Sequence, residues 1–434
     1  MTPPHSMEQL LHFAWQQRMF PLAPLTTTDG RNVEVINTGL YNTNEGPDFL
    51  NAKVRIGDTL WVGHVEIHTL SSDWHKHHHT EHEGYQNVVL HVVNKADCDV
   101  ILNGVALPQL ELPIPEDLSN RFEQLMTEIH YPPCHAIIPN IQGITVNQWL
   151  TQLMAERLES KMHRIEQYLS TTCNDWEQTF FIALARNFGF GVNNDAFEHW
   201  AKVFPIHAFR KHSDDAFQAE ALFFGMAGLL DKKRIDTDRQ DAHFMALEKE
   251  FAFLKHKFGL TPIEGKEWKF LRLRPQNFPY TRLAQLLHLF QQKQLRFSQF
   301  LECTTLEEYK KLLHTQADGY WQYHYSFGGN ATTPQLKQLQ EGSLQLLFIN
   351  TVAPLLYCYG MHHDAPQFCE RAFELLEELP AENNHIVRTW NAVGITAKSA
   401  ADSQALIQLR QNYCERKDCL RCKFGRFFLA KCKN

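Results

Sequence analysis

The chain has 434 residues, 44% of them hydrophobic and 21% charged, with a net charge of −7. This is the composition of a folded, soluble globular protein of about two or three domains. Its 30 Phe, 9 Trp and 12 Tyr are too much aromatic surface for a disordered chain, and collagen-like and coiled-coil classes are excluded on composition.

The opening MTPPHSMEQLL lacks the basic region and apolar core of a secretory signal. Residues 7–20 place Leu10, Leu11, Ala14, Trp15 and Phe20 at helical spacing. A short strand is predicted over 33–41, then two longer strands, Phe49 to Ile56 and Thr59 to His68, separated by Gly57-Asp58. Two residues of that type between extended runs signal a β-hairpin. Residues 73–87 are polar and His-rich and read as helix plus loop. Asn87 to Asn94 (NVVLHVVN) is apolar and β-branched enough for a buried strand, and short strands near Val100 and Leu107 to Leu112 extend the sheet. A Pro-rich passage near 113–134 closes this part. Beyond it, helical periodicity runs through 146–168, 175–188, 214–231, 242–258, 281–292, 305–316, 334–350, 366–378 and 402–413. No fixed-period repeat marks a solenoid. The longest apolar stretch, Leu344 to Gly360, is interrupted by Asn350, Thr351 and Pro354, so no membrane-spanning helix is expected and the expected location is the cytoplasm. The predicted fold class is α+β, with an α/β domain over 1–115, a large all-helical domain over 116–400 and a basic, cysteine-rich segment over 401–434.

The segment EGPDFLNAKVRIGDTLWVGHVEIH, from Glu45 to His68, carries the most chemistry. Folding at Gly57-Asp58 sets residues opposite when their numbers sum to about 115, so Asp48 should face residue 67, and Asp48 and Glu66 should share one end of the hairpin. Alternation places His64, Glu66 and His68 on one face of their strand. Two carboxylates and imidazoles converging there suit a hard divalent cation, Mg²⁺ or Mn²⁺, that positions a water. The run Trp74-His75-Lys76-His77-His78-His79-Thr80-Glu81-His82 reads first as a solvated helix face or a rim around a charged site, and second as metal ligands. His91, inside VVLHVV, reads as a core histidine or as a neighbour of the Glu66 strand.

Pro47-Asp48, the hairpin, and Glu66-Ile67-His68 resemble the motif of the PD-(D/E)XK nuclease superfamily, with His68 where the pattern has lysine. The order helix, strands, helix, strand also resembles that superfamily's core. The resemblance implies a restriction-endonuclease-like fold over roughly the first 110 residues. It further implies metal held by Asp48 and Glu66, a catalytic role for His68, and assistance from Glu8 in the first helix. Lysine brings a fixed charge, whereas an ordinary imidazole is mostly neutral at pH 7, so the substitution implies an altered or lost activity. Across nearly its whole length the chain also resembles a bacterial family catalogued as domain of unknown function 2851. YNTNEGPDFLNAK, VEIHTLSSDWHKHHH, NVVLHVV, LRPQNFP, INTVAPLL, ELPAENNHI and YCERKDCLRCKFG carry that likeness.

Cys414, Cys419 and Cys422 are spaced C-x4-C-x2-C, with Cys432 beyond. Such close spacing lets one loop supply several ligands to zinc or an iron–sulfur cluster, with Cys432 or Cys134 as the fourth. From Arg410 to Asn434 there are eight Lys and Arg against Glu415 and Asp418. The spacing resembles that of iron–sulfur nucleases and glycosylases, which implies phosphate contacts from Arg416, Lys417, Arg421, Lys423 and Arg426.

Leu271 to Arg282 gathers three Arg with aromatics, for phosphate contact or for packing. Ser326 to Asn330 lacks the lysine of a phosphate-binding loop, and Glu156 to Lys161 reads as a charged helix face. No Gly-x-Ser-x-Gly elbow or dinucleotide fingerprint is present. The expected function is therefore a metal-dependent nuclease (a hydrolase of phosphodiesters, DNA ahead of RNA), possibly degenerate, with nucleic acid as partner and no membrane. The alternative is a non-catalytic module binding nucleic acid or protein on a nuclease-like scaffold.

Overall fold

The structure, a computed structural model, describes residues 4–430 apart from 21–22, 43, 234, 330–331 and 335–336. It is a mixed α/β protein with an N-terminal sheet and a C-terminal helical region. The chain divides into two compact units. The first is Met1–Trp149 with Arg388–Thr396 and Leu409–Asn434; the second is Leu150–Val387 with Ala397–Gln408. Set against expected boundaries at 115/116 and 400/401, the first unit runs on through Trp149 and takes in the cysteine-bearing segment.

The first unit opens with helix α1 (Pro4–Gln16). The strands are β1 (Leu25–Thr26), β2 (Asn32–Asn37), β3 (Leu40–Tyr41), β4 (Phe49–Ile56), β5 (Thr59–Leu70), β6 (Val88–Lys95), β7 (Ile101–Leu102), β8 (Val105–Ala106) and β9 (Gln109–Glu111). The main sheet has the order β1-β2-β4-β5-β6-β9, with β3 also paired to β4, while β7 and β8 form their own ribbon. Pairing is antiparallel from β1 to β5 and parallel from β5 through β6 to β9. The hairpin turn is where Gly57-Asp58 places it, and Gly57 takes φ +57, which glycine adopts without strain. β6 is buried along Leu90 to Val93, consistent with a parallel strand covered on both faces.

Leu10, Leu11, Ala14 and Trp15 of α1 are fully buried, so this stripe lies against the sheet. The Trp15 indole N–H donates to the Thr38 carbonyl at 3.0 Å and pins the helix. A further helix, Glu116–Thr127, occupies the passage read as a Pro-rich boundary. Pro115 precedes it and Glu116 and Asp117 fill its first turn, where negative charge favours the helix N-terminus. Arg121 donates to the Phe428 carbonyl at 3.3 Å, tying this helix to the terminal helix Lys423–Ala430.

The second unit is built from helices, among them Gly143–Thr171 from Leu150 onward, Trp176–Phe188, Asn194–Val203 and Ala242–Phe258. Asp175 caps the second of these by accepting from the Glu177 and Gln178 amides. The helix expected over 334–350 begins only at Glu341, after a short strand, Lys337–Gln338. Asn350, Thr351 and Pro354, which interrupt the apolar stretch in sequence, do not break the helix. A π-helical turn, Phe348–Val352, absorbs the proline, and the helix is continuous from Glu341 to His362. This helix is long and apolar enough to cross a membrane, and 72% of its apolar window is buried inside the protein, as in a core helix.

Candidate metal centre

Ala52 stands opposite Gly63 and Ile56 opposite Thr59, but Phe49 stands opposite Val65. One extra residue in β4 makes the shift, at a bulge where Asn51 takes φ +56. Unbroken pairing would set Asp48 against residue 67; the bulge sets it level with Glu66. The Asp48 amide donates to Glu66 Oε2 at 3.1 Å, and the Ile67 amide donates to Asp48 Oδ2 at 2.9 Å. Glu66 is 5% exposed. Burial raises its carboxyl well above the ordinary range, and the charge of Asp48 raises it further. His64 does not join this pair: its Nδ1 accepts from the Asn51 amide.

The polar run after β5 folds inward. A short helix (Asp73–Lys76) carries the buried Trp74, whose indole donates to Thr80 Oγ1 at 2.9 Å. His78 takes φ +58 and reverses the chain, which brings His77 and His79 against His68. His77 Nδ1 lies 3.2 Å and His79 Nε2 3.3 Å from His68 Nε2. The His79 ring stacks on Tyr85 at 3.9 Å and meets Trp74 edge-on. His82 instead faces Glu45 at 3.5 Å. The solvated-face reading therefore fails for His79, which Trp74 and Tyr85 hold inward, whereas His77 stays exposed while setting its Nδ1 beside His68.

Glu66 Oε1 lies 3.4 Å from His68 Nε2 and 3.2 Å from His79 Nε2. Ligands about 2.0–2.1 Å from a tetrahedral ion stand about 3.3 Å apart, and the spacings among Glu66 Oε1, His68 Nε2 and His79 Nε2, from 3.2 to 3.4 Å, match that, with His77 Nδ1 at the same spacing from His68 Nε2. His68, His77 and His79 have ligand atoms all within 4.8 Å of one another. Burial pushes His68 down to about 2 and His79 to about 4, with neighbouring imidazoles adding to it, so both rings are neutral and their lone pairs are free to bind a cation. Behind them, on the parallel strand β6, the fully buried His91 sets Nε2 2.9 Å from His68 Nδ1. Burial takes His91 down to about 3.

On the other side of Asp48, His12 Nε2 lies 3.2 Å from Asp48 Oδ2. Burial acts to lower His12, but Asp48 and Glu8 carry it above the ordinary imidazole value. Glu8, one turn earlier in α1 and half-buried, bears electrostatically on both His12 and Glu66. The structure thus brings Asp48, Glu66, His68 and Glu8 into one neighbourhood. It adds His12, His77, His79 and His91, of which His12 carried no sequence signal beyond its helical spacing from Glu8.

Cys414, Cys419 and Cys422 gather with Cys134, which sits near the end of the Pro-rich passage; Cys432 lies outside the described residues. Burial raises all four; neighbouring thiols add to it in Cys134, Cys414 and Cys419, the last reaching about 12, and the charge of Asp418 adds to it in Cys422, at about 11. Of the basic residues on this segment, Arg416 and Arg421 are exposed, and Arg421 faces Asp418 at 3.4 Å. Lys417 donates to the Met126 carbonyl, Lys423 lies over the Trp149 ring at 5.3 Å, and Arg426 over Phe13 of α1 at 6.0 Å. Tyr41 feels the charges of Asp48, Arg421, Asp418 and Glu8 together, so the cysteine loop reaches the edge of the carboxylate site. In the second unit Arg282 packs on Phe190, 4.3 Å from the ring, and bonds Gln285 and Asn277. It serves the core.

Residues 8–385 match the family described as Protein of unknown function (DUF2851), and the chain belongs to that family. No curated protein and no solved structure matches it.

Proposed function

We propose that this family member is a divalent-metal-dependent nuclease that hydrolyses phosphodiesters of DNA, and that its first unit is a variant of the restriction-endonuclease-like PD-(D/E)XK fold. One observation carries the reading: Glu66 is held between Asp48 on one side and a tight group of neutral imidazoles on the other. The order of helix α1, the β4–β5 hairpin and the parallel strand β6 supports the second part of this reading.

The donor set decides which ion fits. Three imidazole nitrogens with a carboxylate oxygen suit Mn²⁺ or Zn²⁺, whereas Mg²⁺ prefers an all-oxygen octahedron. Such an ion, when bound, neutralises charge on the scissile phosphate and makes a water more acidic. The chain's own residues then divide the work. Glu66, His68, His77 and His79 hold the ion; Asp48 fixes Glu66 through its amide and offers a second carboxylate. Both nitrogens of His68 are engaged, so holding the ion suits it better than taking a proton from water. A lysine at position 68 would bring a cation. In its absence His12, biased toward its charged form beside Asp48, is placed to supply positive charge.

The cysteine loop extends the same reading. The gathered thiols of Cys134, Cys414, Cys419 and Cys422 suit zinc or an iron–sulfur cluster. Arg416 and Arg421 then face the nucleic-acid backbone.

The test uses plasmid and single-stranded DNA with Mn²⁺, Zn²⁺ or Mg²⁺, and compares the wild type with Asp48→Ala and Glu66→Gln. Metal-dependent cleavage by the wild type, reduced at least a hundredfold in both variants, supports the reading. Cleavage in all three proteins, or in none, removes it and leaves a binding module on a nuclease-like scaffold.

A further inference from the structure

The second unit contains a cavity of about 520 Å³ whose wall includes Arg157, Lys161, Arg164 and Arg186 and no acidic side chain. Its volume lies within the range of small-molecule sites. Arg157, Lys161 and Arg164 occur at intervals of four and three on helix Gly143–Thr171 and so share one face. Arg186 comes from helix Trp176–Phe188.

The far wall is shaped by the π turn. Pro354 has no N–H, and the Ala353 amide bonds back to Phe348, so the carbonyls of Ile349 and Asn350 lose their helical donors. Lys161 Nζ donates to the Ile349 carbonyl and to Asn350 Oδ1, both at 3.0 Å, and Asn187 Nδ2 donates to the Asn350 carbonyl at 3.0 Å. An ammonium has three donors; one remains beyond these two bonds. Arg157 bonds Gln404 at 3.1 Å, and Arg186 pairs with Asp195 and Glu198 behind the wall. Arg164 is exposed at the rim. Burial lowers Lys161 to about 7, the charge of Arg157 adds to this, and Glu382 opposes it. Arg157 and Lys161 are therefore held by neutral partners and Arg186 by direct ion pairs, and the four cationic side chains border a space with no acidic side chain in its wall.

We propose that this cavity binds a phosphoryl group, carried either by a small phosphate ester or by a nucleic-acid backbone. Convergent guanidinium and ammonium donors with amide side chains are the groups that recognise phosphate oxygens. The inference does not rest on the nuclease reading, because the cavity and the carboxylate site share no residue.

The experiment uses the full chain in EDTA, so that no cleavage intervenes. Inorganic phosphate binding is read by phosphorus NMR, and binding of a short single-stranded DNA by fluorescence anisotropy, for the wild type, Lys161→Met and Arg164→Glu. Arg164→Glu changes an exposed side chain and keeps the test valid even where Lys161→Met unfolds. Loss of at least tenfold in phosphate affinity in Arg164→Glu, with an unchanged melting temperature, supports the site. If DNA affinity falls with it and phosphate displaces DNA, the phosphoryl group is that of the backbone. If DNA affinity is unchanged, the cavity takes small phosphates. Wild type that binds neither probe, or Arg164→Glu that binds phosphate as the wild type does, overturns the inference.

Discussion

His91 Nε2 lies 2.9 Å from His68 Nδ1 across the parallel strands β5 and β6. If His68 gives its Nε2 lone pair to a cation, its Nδ1 must carry the proton and donate it to His91. His91 is then the residue that sets the tautomer of a metal-binding imidazole, a role in which outer partners tune affinity strongly. The His91 Nδ1 atom is buried and has no hydrogen-bond partner among the described residues.

Replacing His91 by Phe keeps the ring volume and removes the acceptor. Affinity for Mn²⁺ or Zn²⁺ at the His68 site should fall about 10–100-fold. Calorimetric titration checks this, and His91→Gln, which can still accept, should recover part of the loss. Equal affinity in His91→Phe and the wild type would mean that His91 merely fills the core.

The metal-free protein should lose stability on acidification. His68, His79 and His91 have folded-state values of about 2, 4 and 3, all below the ordinary 6.5. Each therefore stabilises the fold fully above pH 6.5 and loses that contribution as pH falls. Glu66, raised, acts oppositely: its contribution is present below about 4.5 and lost as pH rises. Three groups outweigh one, and the net loss is roughly 2 kcal/mol per pH unit between about pH 6 and 4.5. Urea unfolding midpoints in EDTA at several pH values measure the slope. Bound Mn²⁺ or Zn²⁺ should move the midpoints up at neutral pH.

Gly425→Ala should loosen the cysteine loop. A Cβ there would stand 2.1 Å from the Cys419 carbonyl oxygen and 3.0 Å from Cys419 Cα, backbone that can yield only by moving the loop off its helix. A loss of about 2 kcal/mol or more is expected, read as a lower melting temperature together with reduced metal content. Gly342→Ala is the contrast, since nothing lies within 4 Å of its Cβ inside helix Glu341–Leu347. It should be neutral or stabilise by up to about 1 kcal/mol.

Cys134→Ser tests the fourth thiol. Iron or zinc content per chain should fall along with that of Cys414→Ser, and any visible absorption band of an iron–sulfur cluster should be lost. Unchanged metal content in Cys134→Ser would hand the fourth place to another ligand.

The hairpin was legible because its evidence is local: Gly57-Asp58 sets the turn, and alternation in Phe49–Ile56 and Thr59–Leu70 sets the faces. The adjacency of Asp48 and Glu66 follows from that arithmetic, yet its final step depends on a bulge at Asn51 that no residue pattern announced. The polar run from His75 to His82 shows the opposite case. Its composition is that of a solvated segment, and its inward turn comes from Trp74 and Tyr85 packing on His79. Pro354 does not end its helix, because a π turn and two side chains, Lys161 and Asn187, take over the carbonyls that the proline leaves without donors.

By itself, then, the sequence determined what depends on neighbours along the chain: the tight turn, the buried strand through His91, the spacing of three thiols, and the α+β division into sheet and helices. The tertiary structure alone decided which imidazoles meet, that His12 from the first helix stands beside Asp48, that Cys134 joins the terminal cysteines, and that four cationic side chains enclose one cavity. The reason is physical. Backbone periodicity settles the direction of a side chain relative to its own element, whereas which two faces come together is settled by burial of apolar surface over the whole fold.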